Sequence, residues 1–365
     1  MSPLEQLIRD RISEHGPMTV ADFMGIALGH PEHGYYMKGD PFGVAGDFIT
    51  APEISQIFGE LIGLWAAITW QQLGEPPNLT LIECGPGRGT LMRDLLRAAS
   101  YVPGFADAID LHLVETSPAM RERQRTTLEG YTPQWHDVLD TVPTGPTILI
   151  ANEFLDALPI RQFVRSADGW AERCVGLKNN ALAFEHGDIN PEAAAWAPPI
   201  AGSAAEGTIF EICPAAQEFA AALSQRFSTA PGAALLIDYG HVQSATGDTL
   251  QAVRGHEFSD VLAAPGEADI TAHVDFGAFG SNLRGGGSRL MGPISQSVFL
   301  TDLGIQSRTD ALAQNATPDV AEKIRAASER LTAPDQMGEL FKVMVAAHAQ
   351  SPTLAGFETT VDSEC

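Results

Sequence analysis

The stretch that most constrains this chain is LTLIECGPGRGTLMRDLLR, residues 79–97. Its first six residues are mostly apolar, as in a buried parallel strand, and Leu91, Leu95 and Leu96 follow at helical spacing. Glycines lie between the two patterns. Glycine permits left-handed backbone and close approach of a ligand, and the N-terminus of the following helix offers unpaired N–H groups. The stretch predicts a strand, a tight turn and a helix.

The spacing of the turn indicates the kind of ligand. Glu83 precedes Gly85, Pro86, Gly87 and Gly89 in the pattern E-x-G-x-G-x-G. A dinucleotide site uses G-x-G-x-x-G and places a pyrophosphate at the helix end, where a neighbouring carboxylate would repel it. S-adenosylmethionine (SAM) carries an ammonium and a sulfonium and no phosphate. The pattern favours SAM; the alternative is an ordinary strand-to-helix turn with extra glycines.

Two acidic residues follow the next predicted strands. Glu115 ends the apolar segment 111–115, where a carboxylate can accept hydrogen bonds from both ribose hydroxyls. The alternative is a helix-capping role, because Ser117 and Pro118 resemble a cap. Asp137 lies where a third strand should end, and we predict that it accepts from the adenine amino group; the alternative is a surface loop residue.

The segment TILIANEFLDALPI, residues 147–160, predicts a fourth strand that ends in polar residues. In a doubly wound sheet, ligands bind at the carboxyl ends of the central strands, near the switch in strand order. We therefore expect Asn152, Glu153 and Asp156 near the methyl donor, with Asn152 binding the cofactor. The alternative for Asp156 is a favourable interaction with a helix dipole.

Paired carboxylates suit a guanidinium acceptor, because they bind it bidentately and orient one nitrogen for attack. We predict that Glu153 pairs with Glu211, which should stand at a strand end on the same edge. His241 ends a later strand and is predicted to accept the proton. Asp156 completes the predicted catalytic set. The alternatives are a buried structural Glu211 and a hydrogen-bonded loop His241.

Composition excludes several classes of protein. The charge is 22 − 46 = −24, which repels nucleic-acid phosphate, and no Lys/Arg cluster offsets it. Such a surface attracts a basic protein segment. The four cysteines are scattered, with no C-x-x-C spacing for structural zinc, and no metal site is predicted. No transit peptide, signal peptide or bilayer-spanning apolar run is seen, so we predict a cytoplasmic protein that does not insert into a membrane.

The chain is predicted to contain three parts. Residues 1–75 form N-terminal helices that pack on the core. Thr50 with Pro52 begins a long helix over 53–73. We also predict that Thr50 binds the cofactor. Residues 76–349 form the α/β core, with insertions at 162–206 and 241–272. The first insertion begins with an antiparallel meander, because residues 162–186 alternate in polarity. Residues 350–365 are predicted to be a disordered tail.

Several segments together resemble the MidA-like group of class I SAM-dependent methyltransferases. The segments are GDFITAPEISQIFGELIG, IECGPGRGTLMRDLLR, ANEFLDALPI, FEICP, DYGH with GDTLQAVRGH, ADITAHVDF and GELFKVM. They span nearly the whole chain, and the three that contain ITAPEISQ, NEFLDALP and ADITAHVDF are more specific than the glycine turn.

The resemblance implies a doubly wound, Rossmann-like, seven-stranded sheet with an antiparallel last strand. It implies SAM as cofactor and an arginine-bearing protein as acceptor, with symmetric dimethylation of a respiratory complex I subunit, as in the mitochondrial member. Two alternatives stay open: a small-molecule methyltransferase on the same fold, and a SAM-binding assembly chaperone without turnover.

Overall fold

The structure is a computed structural model and describes residues 2–38 and 50–358. Its helices are α1 (Pro3–His15), α2 (Val20–Gly29), α3 (Ala51–Ile54), α4 (Gln56–Gln72), α5 (Thr90–Ala99), α6 (Phe105–Ala108), α7 (Pro118–Thr127), α8 (Ala193–Trp196), α9 (Pro214–Thr229), α10 (Phe276–Gly285), α11 (Gln296–Asp302), α12 (Ile305–Gln314), α13 (Pro318–Thr332) and α14 (Met337–Leu340). Its strands are β1 (Met18–Thr19), β2 (Leu79–Cys84), β3 (Ile109–Val114), β4 (Gln134–His136), β5 (Thr147–Asn152), β6 (Arg161–Ser166), β7 (Gly169–Lys178), β8 (Ala181–Ile189), β9 (Ile209–Ile212), β10 (Gly232–His241), β11 (Gln251–Arg254), β12 (Glu257–Ser259), β13 (Asp269–Thr271), β14 (Val274–Asp275), β15 (Arg289–Ser295) and β16 (Phe341–Ala347).

The described residues divide into two compact units. The first consists of residues 2–38, 155–219 and 243–278, and the second of residues 50–154, 220–242 and 279–358. This division differs from the predicted boundary at residue 75, because α3 and α4 belong to the second unit while α1 and α2 belong to the first. The predicted insertions, in contrast, lie mostly in the first unit.

Seven strands of the second unit form a mixed sheet in the order β15-β16-β10-β5-β2-β3-β4. The pairs β10–β5, β5–β2, β2–β3 and β3–β4 are parallel, while β16 is antiparallel to both of its neighbours. From β2 the chain first builds the sheet outward to β3 and β4, and it then returns to β5 on the other side. This doubly wound α/β sheet confirms the predicted fold class.

Burial explains why the central strands are apolar. Every residue of β2 and β5 is buried, as the near-continuous apolar runs predicted. Helices α4 and α5 pack so closely that an added Cβ would clash. A Cβ at Gly59 would lie 2.7 Å from Cβ of Asp94, and one at Gly63 would lie 2.8 Å from the Leu95 carbonyl oxygen. Glycine at both positions is therefore required by the approach of the two helices.

The single helix predicted over 53–73 is wrong in one respect. Ser55 is extended, with φ −155° and ψ 132°, and separates α3 from α4. Its hydroxyl accepts a hydrogen bond from the Ile57 N–H at 3.2 Å, so Ser55 is the N-cap of α4. Leu64 of α4 is 42% exposed and so does not contribute to the packed face.

The first unit contains the predicted meander, in which β6, β7 and β8 pair in sequence. Asn179 and Asn180 both have positive φ, as a tight hairpin turn requires. The same sheet also includes β1 and β9. Because β9 pairs antiparallel with β6, the expectation that Glu211 stands at an edge of the parallel sheet is wrong. Within residues 241–272, β11 pairs with both β12 and β13.

The segment after β16 is not a disordered tail as far as the structure describes it. Ser351, Leu354, Ala355 and Phe357 are buried, and the ring of Phe357 lies 5.6 Å from that of Phe299. Residues 359–365 lie outside the described residues. In the described parts of the chain, no helix combines the length and apolar character that crossing a bilayer requires.

We expect Phe357→Ala to destabilise the protein by about 3–5 kcal/mol, because a buried ring is lost and a cavity remains. Denaturant unfolding measures the change. Tyr101→Ala is the matched control: Tyr101 is 83% exposed, and its removal should change the free energy of unfolding by less than about 0.5 kcal/mol. Equal effects of the two substitutions would contradict the packed position of Phe357.

Candidate functional site

The candidate site lies in the second unit at the carboxyl ends of parallel strands. β2, β3, β5 and β10 run in the same direction, so the residues that end or follow them meet at one edge of the sheet. The point where strand order reverses lies between β2 and β5, as predicted. The residues at this edge are Glu83 and the glycine turn, Glu115, Asn152, Glu153 and His241.

The glycine turn has left-handed backbone at all three glycines. The φ angles are 65° at Gly85, 50° at Gly87 and 80° at Gly89, which side chains with a Cβ rarely adopt. The Gly85 N–H donates to the Val114 carbonyl oxygen at 3.0 Å. A Cβ at Gly85 would lie 3.0 Å from Cδ2 of Phe154, so this glycine is also required by close contact.

Two buried acceptor atoms at the ends of β2 and β5 point to a ligand that donates hydrogen bonds. Glu83 is 3% exposed and Asn152 is 8% exposed. Oε2 of Glu83 and Oδ1 of Asn152 have no hydrogen-bond partner among the described residues. Burial raises the pKa of Glu83 to about 8. Each unpaired buried acceptor costs about 1–3 kcal/mol, which a bound donor would offset.

These residues fit SAM. An ammonium pairs with a carboxylate, which matches Glu83, and the glycine turn admits close approach of a ligand. With SAM bound, Glu83, Asn152 and the turn Gly85-Pro86-Gly87-Arg88-Gly89 would hold it. The roles of the individual residues remain predictions.

Glu115 follows β3 and is held by two donors. Its Oε1 accepts from the Ser117 N–H at 2.8 Å, and its Oε2 accepts from Nε2 of Gln124 at 3.1 Å. Ser117 itself caps α7, so capping and a ribose-binding role for Glu115 are compatible. Burial raises the pKa of Glu115, while these hydrogen bonds oppose the rise.

Gln124 is a site residue that was not predicted from the sequence. It is fully buried, and its Nε2 also donates to the Gly87 carbonyl oxygen at 2.7 Å. Its Oε1 accepts from Nε1 of Trp135 at 2.7 Å. One amide therefore joins the glycine turn, Glu115 and β4. No local pattern distinguishes Gln124 from other polar helix residues, so only the fold reveals it.

Asp137 directly follows β4 and is paired with a cation. Its carboxylate accepts from Arg121 at 2.6 Å, and the Asp137 side chain is 78% exposed. Arg121 also donates to the backbone oxygen of Glu115 at 2.8 Å. The predicted contact of Asp137 with an adenine amino group stays a prediction.

Glu153 has φ 50°, a left-handed conformation that costs a non-glycine residue about 1–3 kcal/mol. Its N–H donates to the Ile237 oxygen at 2.9 Å, so its backbone is fixed against β10. Its Oε1 accepts from the Ala51 N–H at 3.0 Å and from Nδ2 of Asn152 at 3.1 Å. Such strain at the end of a central strand is typical of a functional site.

Thr50 is the N-cap residue of α3, as predicted, but no hydrogen bond of its side chain caps the helix. Glu53 of the same helix was not predicted. Its Oε1 accepts from Oγ1 of Thr90 at 2.6 Å, and its Oε2 accepts from Nη1 of Arg88 at 3.3 Å. Because Arg88 and Thr90 flank Gly89, Glu53 contacts the second half of the glycine turn.

The other predicted catalytic residues are divided between the units. His241 ends β10 in the second unit and is half-buried. Asp156 and Glu211 lie in the first unit. Glu211 is bonded by Nε2 of Gln162 at 2.6 Å and by both the N–H and the hydroxyl of Thr249. This arrangement matches the alternative of a buried, structurally engaged Glu211.

Asp156 is buried, and its backbone oxygen accepts from the Ala272 N–H at 3.0 Å. Tyr36, also in the first unit, donates to Asp269 at 2.7 Å. The pKa of Tyr36 is raised by burial and by the negative charges of Asp269 and Asp156. Tyr36 and Asp269 lie 233 residues apart in the chain, so no local pattern predicts this pair.

We expect Gly85→Ala to weaken binding of S-adenosyl-homocysteine at least about tenfold, because the added methyl group displaces Phe154 and strains the turn. Titration calorimetry measures the Kd. Gly130→Ala is the matched control, since Gly130 has φ 94° and nothing within 4 Å of an added Cβ. Equal weakening by both substitutions would contradict a specific role of Gly85 in cofactor binding.

We expect the Kd of S-adenosyl-homocysteine to fall as pH rises from about 6 to 8 and to level off above. Below pH 8 the free protein carries a proton on Glu83 that must leave before the carboxylate pairs with an ammonium, so the change approaches about tenfold per pH unit. Without ligand, the free energy of unfolding should fall as the pH rises from about 4.5 to about 8, because the pKa of Glu83 is higher in the folded than in the unfolded protein. Glu83→Gln should remove the pH dependence of the Kd; an unchanged profile in that variant would exclude Glu83 as its source.

Proteins of known sequence resemble this chain over most of its length. Protein arginine methyltransferase NDUFAF7, mitochondrial, is 36% identical in Danio rerio and 35% identical in Homo sapiens. These alignments cover 92% and 93% of this chain and 84% and 82% of the relatives. A crystal structure from Burkholderia thailandensis, bound to S-adenosyl-homocysteine, matches with a TM-score of 0.84 at 29% identity, covering 98% of this chain and 94% of that one.

The family comparison agrees with the site. The model of a family described as "Putative S-adenosyl-L-methionine-dependent methyltransferase" matches residues 61–294. That range contains the glycine turn, Glu115 and the Asn152–Glu153 pair. The expected enzyme class and cofactor are thereby confirmed. The chain belongs to this family of SAM-dependent methyltransferases.

Proposed function

We propose that this enzyme transfers methyl groups to an arginine guanidinium of a protein. The observation that carries the proposal is the Glu153 carboxylate at the end of β5, oriented by the Ala51 N–H and the Asn152 amide beside the cofactor turn. The relatives that align with most of this chain are named protein arginine methyltransferases, and these names support the same acceptor.

A carboxylate can prepare a guanidinium in two ways. Charge-assisted hydrogen bonds hold the planar group in one orientation, and they draw positive charge away from the nitrogen that attacks. Bound SAM supplies the methyl group as a sulfonium. Glu153 would orient the acceptor, so that alignment supplies much of the rate acceleration.

The other predicted catalytic residues form part of the proposal. Residue His241 at the end of β10 would accept the proton that the guanidinium loses, and Asp156 would add negative charge on the acceptor side. The three hydrogen bonds to Glu211 favour the structural alternative over direct pairing with the guanidinium. On the cofactor side, Glu115 would accept from the ribose hydroxyls and Asp137 from the adenine amino group, and Thr50 would also contact SAM.

The acceptor is proposed to be a protein segment, and the net charge of −24 supports a basic one while disfavouring nucleic acid. The resemblance stated above supports a respiratory complex I subunit as target and symmetric dimethylarginine as product. We further propose that the enzyme works in the cytoplasm. A small-molecule acceptor or a chaperone without turnover would each give a different result in the experiment below.

We expect purified enzyme with methyl-labelled SAM to label protein in a cell extract, and acid hydrolysis to release methylated arginine. Glu153→Gln should lower the initial rate at least about hundredfold while leaving the Kd of S-adenosyl-homocysteine within twofold of wild type. Glu129→Gln, the same change at an exposed residue of this unit, is the control and should leave both quantities unchanged.

Three outcomes would contradict the proposal in different ways. Label confined to small molecules would favour a metabolite methyltransferase. Binding of S-adenosyl-homocysteine without any transfer would favour the chaperone alternative. Methylation of lysine or of a carboxylate instead of arginine would keep the protein acceptor and exclude the guanidinium chemistry.

A further inference from the structure

The short helix α3 is connected to the cofactor site at two places. On one side, Glu53 accepts from Thr90 at 2.6 Å and from Arg88 at 3.3 Å. On the other side, the first N–H of the helix, at Ala51, donates to Glu153 at 3.0 Å. All of these residues belong to the second unit. A single turn of helix therefore joins the glycine turn to the end of β5.

Glu53 restrains the glycine turn because its two donors, Arg88 and Thr90, both lie at the end of that turn. Arg88 and Thr90 flank Gly89, whose left-handed φ of 80° marks the passage from turn to helix α5. A glycine has no side chain to pack, so its conformation depends on what holds its neighbours. Through both neighbours, one carboxylate restrains this end of the turn.

Burial strengthens the restraint. The side chain of Glu53 is 17% exposed and that of Arg88 is 27% exposed, so solvent competes only partly with the ion pair. The opposite end of the turn is held differently, by the Gly85 N–H to the Val114 oxygen and by Gln124 at the Gly87 oxygen. Glu53 thus completes a set of contacts that fixes the turn along its length.

We propose that Glu53 is a positioning residue of the cofactor site: it holds the second half of the glycine turn and, through α3, keeps Glu153 in register with it. Glu53 acts through Arg88 and Thr90 and through the backbone of α3. The proposal rests on the shared cofactor of the family and does not require arginine as the acceptor.

The experiment measures the Kd of S-adenosyl-homocysteine by titration calorimetry and the Tm by thermal unfolding. Glu53→Ala should weaken binding at least about tenfold, because both donors lose their acceptor. Glu53→Gln keeps an oxygen for Thr90 but loses the charge opposite Arg88, so it should weaken binding about threefold. Because Glu53→Gln is conservative, it also gives a result if Glu53→Ala does not fold.

Glu60 provides a matched control. Its side chain is 11% exposed, it lies in the neighbouring helix α4, and it accepts from Arg97 at 2.9 Å and from Arg308 at 2.8 Å. Neither donor lies in the glycine turn. Glu60→Ala should therefore lower Tm at least as much as Glu53→Ala, while the Kd stays within twofold of wild type. Equal weakening of binding by the two substitutions would overturn the positioning role.

A coupled pair gives a second readout. Thr90→Val removes one donor and should weaken binding about threefold in the wild-type protein. The same substitution should have no further effect in Glu53→Ala, because its partner is already absent. Additive effects, or a Kd of Glu53→Ala within twofold of wild type, would contradict the proposal. These measurements need no acceptor, so they succeed or fail independently of the arginine proposal.

Discussion

The cofactor site depends on one conformational constraint, the left-handed backbone of three glycines between β2 and α5. Only residues without a Cβ adopt such a turn at little cost, so its geometry follows from local sequence. However, glycines alone do not fix the conformation of the turn, because their backbone is flexible. The neighbouring contacts do so: the Gly85 N–H with β3, Gln124 with Gly87, and Glu53 with the two residues that flank Gly89. Binding is therefore a property of the turn together with its supports.

The site stores unfavourable free energy that a ligand can offset. Glu83 and Asn152 bury acceptor atoms that lack a partner among the described residues, and Glu153 takes a strained left-handed conformation. Each feature costs on the order of 1–3 kcal/mol in the ligand-free protein. Stability and function are thus opposed at the ends of β2 and β5. A cationic cofactor, and the guanidinium acceptor proposed above, would both satisfy acidic residues at this edge.

Local patterns predicted the elements better than their assembly. The apolar runs of β2 and β5, the glycine turn and the antiparallel meander all follow from short-range chemistry. The break at Ser55 was missed, because a serine inside an apolar helical pattern signals a cap only weakly. The expected position of Glu211 on the same edge as Glu153 was wrong, because the pairing of β9 with β6 depends on contacts between residues about fifty positions apart.

By itself, the sequence determined the fold class, the glycine turn and the acidic character of the strand ends, because each depends on patterns of residues that are close together in the chain. Only the tertiary structure revealed Gln124 and Glu53. Their hydrogen-bond partners lie up to 37 residues away in the chain and on other elements, so packing has to bring them together. It also placed Glu211 in another sheet, among Gln162 and Thr249. The physical reason is that hydrogen-bond partners are selected by the packing of whole elements, which no local pattern of side chains specifies.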